Sequence, residues 1–161
     1  MKNKLEPEEV MKLKLVVDVD KDFTEKKEIF LYGLAGGMCF DFNPFNTHLF
    51  VVGTEEGKIH LCSKTYSGQY LQTYQGHFLA VYSVKWNKYH PKVFLSCSAD
   101  WTIKMWDCDL ERPVIAFDLG CAVGDIEWAP YSSTVFAAVN SSGHFYIYDL
   151  HEDKHLSLCN H

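Results

Sequence analysis

Three groups of residues in this 161-residue chain are of types that perform chemistry. His77, Ser96 or Ser98, and Asp100 are the base, nucleophile and orienting carboxylate of an acyl-transfer triad, with Trp106 close behind them. His151-Glu152-Asp153-Lys154-His155 spells HExxH, whose imidazoles ligate zinc when both stand on one face of a helix, with the glutamate as base. Glu55 and Glu56 are adjacent carboxylates, a type of pair that can divide acid–base work. Gly33, Gly36 and Gly37 precede a strand-like run and not a helix, so they lack the spacing of a phosphate-binding loop.

Whether any of these groups reacts depends on the elements that carry it. His77 opens, and Trp106 closes, a stretch from Gly76 to Asp107 that begins Gly-His and ends Trp-Asp. Two alternating apolar runs lie between, joined by a tight turn containing Ser98, Ala99, Asp100, Trp101 and Thr102. That is the pattern of one propeller blade. The pattern recurs: Trp86 and Phe94 fall on Phe42 and Phe50 44 residues earlier, and on Trp128 and Phe136 42 residues later. Trp106-Asp107 falls on Tyr148-Asp149. The expected fold is all-β: a partial, open β-propeller of about three four-stranded antiparallel blades.

In that setting the triad residues read as a turn-to-strand pin. Asp100 can accept the His77 N–H, the other ring nitrogen can take a serine hydroxyl, and that oxygen can accept the Trp106 indole N–H. Each buried polar atom would then have a partner. The HExxH segment directly follows a strand ending at Asp149, where the other copies have a strand-to-strand connection, so the helical context that zinc needs is missing. Glu55 and Glu56 fall in a turn and read as solvated. No catalytic residue, metal ligand or cofactor is expected. Trp101 stands where the other copies carry Gly57 and Gly143; its ring either projects as a partner contact or lies flat on the neighbouring blade.

Taken in order, residues 1–36 are the least regular, with partial alternation from Val10 to Val19, a charged connection from Lys21 to Lys27, and Glu28 to Tyr32 as the closing strand of an incomplete preceding unit. The blades are expected over about 37–75, 76–118 and 119–161. Their fourth strands are expected at Gln69 to Tyr74, Val114 to Asp118 and His155 to Cys159. A net charge of −6 and the absence of a basic stripe argue against nucleic acid. No apolar run is long enough for a membrane helix, and MKNKLEPEEV has no apolar core of a secretory signal. The six cysteines show neither CxxC nor disulfide-like spacing, which fits a reducing intracellular compartment.

The run VGTEEGK (52–58), SCSADWTIKMWD (96–107) and above all AVGDIEWAPYSSTVFAAV (122–139) resemble the WD-repeat region of axonemal dynein intermediate chains, the outer-arm type most closely, over most of residues 37–150. The resemblance implies a non-catalytic scaffold subunit of a ciliary motor, located in the cytoplasm, cytoskeleton and cilium axoneme. Its partners would be the dynein heavy chain and a second intermediate chain. The family's light-chain-binding region is expected to be absent from this chain, which reads as an excerpt of a longer protein. A WD-repeat adaptor of another complex, such as cytoplasmic dynein, and a zinc hydrolase using 151–155 are the competing readings.

Overall fold

The computed structural model describes residues 9–15, 33–152 and 159–160. Twelve strands form three separate antiparallel sheets, each a four-stranded meander in chain order. The first holds β1 (Gly37–Phe42), β2 (Leu49–Thr54), β3 (Lys58–Ser63) and β4 (Gln72–Gln75); the second holds β5 (Val81–Trp86), β6 (Val93–Ser98), β7 (Thr102–Asp107) and β8 (Ile115–Asp118). The third holds β9 (Val123–Trp128), β10 (Val135–Asn140), β11 (Phe145–Asp149) and the two-residue β12 (Cys159–Asn160). These are three blades of an open propeller, and no helix occurs among the described residues.

The registers repeat with the sequence. Gly37 pairs with Thr54, Val81 with Ser98, and Val123 with Asn140. Immediately after each of these pairs the first strand slips by one residue, leaving Met38, Tyr82 and Gly124 without a partner. Side chains alternate faces along a strand, so an extra residue flips everything beyond it. This is why Val81, Val84 and Trp86 share one face, and Val123, Ile126 and Trp128 the equivalent one, although their spacing begins with three.

Those faces build the core, and the core lies between blades. Val81, Val84, Trp86, Phe94 and Trp106 of the second blade pack against Val51, Ile59, Leu61 and Tyr74 of the first. Leu95, Cys97, Ile103 and Phe117 leave the second blade on its other face and meet Val123, Ile126, Trp128, Phe136 and Tyr148 of the third. Rings dominate: Phe94 stacks on Trp106 at 6.1 Å and Phe136 on Tyr148 at 5.0 Å. The Trp128 indole N–H donates to the Lys85 carbonyl at 3.1 Å; that of Trp86 is buried without an acceptor, the one such side-chain atom among the described residues.

Polar latches repeat beside the rings. Asn43 ends β1, and its Oδ1 accepts the N–H groups of Phe45 and Asn46 while its Nδ2 donates to the Pro91 carbonyl of the next blade. Asn87 does the same one blade on, holding Tyr89 and His90 and reaching the Ser133 carbonyl. The third blade has Ala129 there, and the series ends.

The fourth strands differ most from the sequence expectation. β4 starts at Gln72 rather than Gln69, because Tyr70 stacks on the His60 ring at 3.8 Å and its hydroxyl donates to the Lys14 carbonyl. β12 covers Cys159 and Asn160, and Glu28 to Tyr32 lies outside the described residues. Of the candidate strand Val10 to Val19, the described part makes one bridge, Lys14 to Leu34.

The turns between second and third strands have a left-handed residue at the same place: Gly57 (φ 86°), Trp101 (φ 75°) and Gly143 (φ 82°). Only glycine adopts that conformation without strain. A Cβ on Gly57 would also sit 2.6 Å from the His77 carbonyl oxygen, whereas one on Gly143 would meet nothing within 4 Å. Gly143→Ala is therefore expected to lose about 1 kcal/mol and Gly57→Ala roughly 2–3 kcal/mol in urea unfolding. Equal losses would mean that the first turn can move away from the second blade.

Candidate functional site

β6, β7 and the loop entering β5 bring His77, Ser96, Asp100 and Trp106 together at one end of the middle blade. His77 precedes β5, Ser96 lies mid-β6, Asp100 is in the β6–β7 turn, and Trp106 is near the end of β7. His77 Nδ1 lies 2.9 Å from Asp100 Oδ2, and His77 Nε2 lies 2.7 Å from Ser96 Oγ. The Trp106 indole N–H donates to the same Ser96 oxygen at 2.7 Å. With the proton on Nδ1, the ring donates to Asp100 and accepts the serine hydroxyl, and every polar atom is satisfied. Ser98 stands apart: its hydroxyl donates to the Leu79 carbonyl and its oxygen accepts the Asp100 N–H.

Serine to imidazole to carboxylate is the connectivity of a hydrolase triad. Here Ser96 has no exposed surface, and its oxygen already holds the Trp106 proton donor. A nucleophile must touch a carbonyl carbon, and this residue offers no surface for that contact. Burial pushes the His77 pKa down to about 4, against the pull of Asp100, so the ring is neutral near pH 7. Burial acts to raise Asp100, but the Thr102 hydroxyl, His77 and the Phe78 N–H outweigh it and hold the carboxyl at about 2. Asp100 thus gathers donors from three places: Thr102 through hydroxyl and backbone, the His77 ring, and the Phe78 backbone. Lys104 completes the cluster, donating to the Gly76 carbonyl at 2.6 Å.

What the cluster holds up is apolar and exposed. Phe78 hangs from Asp100 and is 86% exposed; Leu79, whose carbonyl Ser98 holds, is 53% exposed, as is Trp101. The Trp101 backbone carbonyl accepts the Leu119 N–H, and about half of the residue's surface is exposed. Of these three exposed residues, the sequence singles out Trp101 alone as a candidate. The signal was present in two large apolar residues directly after Gly76-His77, where a connecting loop is ordinarily polar.

The other candidate groups lie elsewhere in the fold. His151 and Glu152 sit in an exposed turn after β11, the His151 N–H capping back on Asp149 Oδ1; Asp153 to His155 lie outside the described residues. Glu56 accepts the Gly36 N–H and Glu55 is exposed, so neither is paired for proton transfer. Asp107, Cys108 and Asp109 bring three ligand-type atoms within 4.8 Å of one another. Lys92 pairs with Asp109, and burial together with the two aspartates pushes the Cys108 thiol up to about 11. Cys39 and Cys62 are raised to about 11 and about 12, chiefly by burial.

A family model, "WD domain, G-beta repeat", matches residues 68–107. The match starts on the outer strand of the first blade and runs through three strands of the second, so the sequence unit straddles a blade boundary. The ciliary dynein intermediate chain 2 of Heliocidaris crassispina is 56% identical over 127 residues, 78% of this chain and 18% of that protein. The 78 kDa intermediate chain of the flagellar outer arm of Chlamydomonas reinhardtii is 45% identical over 98% of this chain and 23% of its own length. Dynein axonemal intermediate chain 1 of Bos taurus is 48% identical over 99% of this chain and 22% of its own. The chain, which spans about a fifth of the length of the curated relatives it matches, belongs to the WD-repeat region of the axonemal dynein intermediate chains.

Proposed function

We propose that this chain is part of the non-catalytic WD-repeat scaffold of a dynein motor of the ciliary or flagellar axoneme, of the outer-arm type. Its partners are the dynein heavy chain and a second intermediate chain, and it takes no cofactor, nucleic acid or membrane. The observation that carries the reading is the fate of the triad residues: the arrangement is spent on fixing one turn to two strands, beside the exposed apolar residues Phe78, Leu79 and Trp101. Exposed large apolar and aromatic groups are what a protein partner grips. The relatives are named as dynein intermediate chains, which supports a dynein complex as the setting.

Trp101 argues for this contact a second time. A left-handed tryptophan costs roughly 1 kcal/mol that glycine would not, and the other two blades use glycine. Full-length intermediate chain carrying this segment is expected to capture dynein heavy chain from axonemal extract. Trp101→Gly should raise the stability of the blade by about 1 kcal/mol while weakening that capture about thirtyfold. Undiminished capture by the glycine variant would remove Trp101 from the heavy-chain contact.

The cluster also makes stability depend on pH. His77 and His60 both have folded pKa values of about 4, lowered from 6.5 by burial. Between those values the unfolded chain binds more protons than the folded one, so stability falls as pH falls from 6.5 towards 4. His77 alone should remove ~2 kcal/mol between pH 7 and 5. Urea midpoints measured across that range should drop for the native chain. His77→Gln should lower the midpoint at pH 7 and flatten the slope, leaving the share due to His60. An unchanged slope would mean that His77 titrates over the same pH range in the folded and unfolded chain.

A further inference from the structure

Charge divides the strand connections into two sets. At the end of the blades that carries the His77 cluster, the connections 55–57, 76–80, 99–101, 119–122 and 141–144 contain Glu55, Glu56 and Asp100 and no lysine or arginine. At the opposite end, the connections 43–48, 64–71, 87–92, 108–114 and 129–134 contain Lys64, Lys88, Lys92 and Arg112 against Asp109 and Glu111. Lys104, on β7 near the first end, is buried and turned inward, its Nζ donating to the Gly76 carbonyl at 2.6 Å. Glu56 lines a small cavity together with Lys14 and Lys58, and Asp100 is occupied by its own donors. Glu55, and Asp118 at the end of β8, are the exposed carboxylates beside the apolar patch of Phe78, Leu79 and Trp101. The turn that holds Glu55 abuts the loop that holds Phe78, since a Cβ on Gly57 would stand 2.6 Å from the His77 carbonyl oxygen and 2.9 Å from that of Leu79. Asp118 pairs with Thr102, next to Trp101, and the Leu119 N–H donates to the Trp101 carbonyl at 3.0 Å. The patch belongs to the middle blade, which has another blade packed on each face, so its exposure does not arise at an edge of the series.

We infer that this patch takes a cationic amphipathic segment of the protein partner, its apolar side chains seated on Phe78, Leu79 and Trp101 and its lysine or arginine side chains reaching Glu55 and Asp118. The inference rests on the reading of these residues as the heavy-chain contact and adds the chemistry of the segment that meets them. Two properties of the site select that chemistry. The first is the charge of the rim, where exposed carboxylates attract a basic segment and turn an acidic one away. The second is the affinity of aromatic rings for cations, which the chain already uses once: Lys104 Nζ lies 5.9 Å from the centroid of the Phe78 ring. The opposite end of the blades, with lysine and arginine in excess on its connections, repels the same segment, so charge decides which end docks. Apolar packing supplies most of the hold, and the two carboxylates supply orientation and a dependence on salt.

The test is capture of dynein heavy chain from axonemal extract by full-length intermediate chain carrying this segment, measured from low to high sodium chloride. The double variant Glu55→Lys with Asp118→Lys should weaken capture about thirtyfold at low salt and recover towards the native level as salt screens the charges. Glu55→Gln with Asp118→Asn should lie between the two, the asparagine still able to accept the Gly120 N–H that Asp118 holds. Glu111→Lys, the same change of charge on an exposed connection at the opposite end of the middle blade, should alter capture less than about twofold. Circular dichroism should stay native in all three, because the substituted side chains are exposed. Undiminished capture by the double lysine variant, with capture lost in Trp101→Gly, would overturn the cationic partner and leave the heavy-chain contact standing. Stronger capture by the double lysine variant would mean an acidic segment and overturn it too. So would a loss that high salt does not relieve, which marks a steric effect, or an equal loss in Glu111→Lys, which marks the charge of the whole chain. Undiminished capture by Trp101→Gly would remove the contact and the inference together.

Discussion

A four-stranded sheet that is apolar on both faces has no interior of its own, and every other property of this molecule follows from that constraint. Neighbouring residues of one strand serve different cores: Phe94 is buried against the first blade and Leu95 against the third. Hydrophobic stabilisation therefore accrues per interface and not per sheet, as in other structures whose repeats touch only their neighbours. The bulges at Met38, Tyr82 and Gly124 serve the same end, because without the extra residue the first-strand rings would turn to the wrong blade. So do the Asn43 and Asn87 latches, which tie the turn of one blade to a carbonyl of the next and fix the stacking that rings alone would leave free to slide.

The polar cluster of the middle blade is the second consequence. The His77–Asp100 pair orders its loops locally. Buried and fully partnered, the pair is worth keeping only as a unit, since removing one member strands the others in a low-dielectric site. The other blades hold the same turn by cheaper means. Thr54 Oγ1 both donates to the Lys58 carbonyl and accepts the Lys58 N–H, and Asn140 Oδ1 accepts the Ser142 and His144 N–H groups. The middle blade invests more because its turn carries a strained tryptophan and its entering loop carries two exposed apolar side chains.

The repeat was legible in the sequence because the rings that fill the interfaces are large, scarce and periodic: Phe42, Trp86 and Trp128 mark one position, and Phe50, Phe94 and Phe136 another. The turns were legible through glycine and asparagine. What a linear reading could not reach depends on residues brought close by stacking. Asn43 reads as a local turn former, and it is one, but its amide nitrogen serves a carbonyl 48 residues away. Tyr70 reads as a strand residue because tyrosine favours strands; stacking on His60 and bonding to Lys14 prevail over that propensity. Ser96 and Ser98 are indistinguishable by spacing, and only the side chain's face decides that Ser96 meets the imidazole.

The offset between sequence unit and blade explains how such a series holds together. The matched stretch, 68–107, begins with β4 on the first blade and ends with β7 on the second. One repeat thus donates Tyr74 to one side of an interface and Trp86, Phe94 and Trp106 to the other, and the Tyr74 hydroxyl reaches across to the Cys108 carbonyl at 2.9 Å. A repeat that coincided with a blade would leave each interface to be specified by two separate units. A repeat that straddles the boundary carries both halves of a complementary pair in a single stretch of chain. Blade order and spacing are then fixed by covalent continuity before any ring has closed.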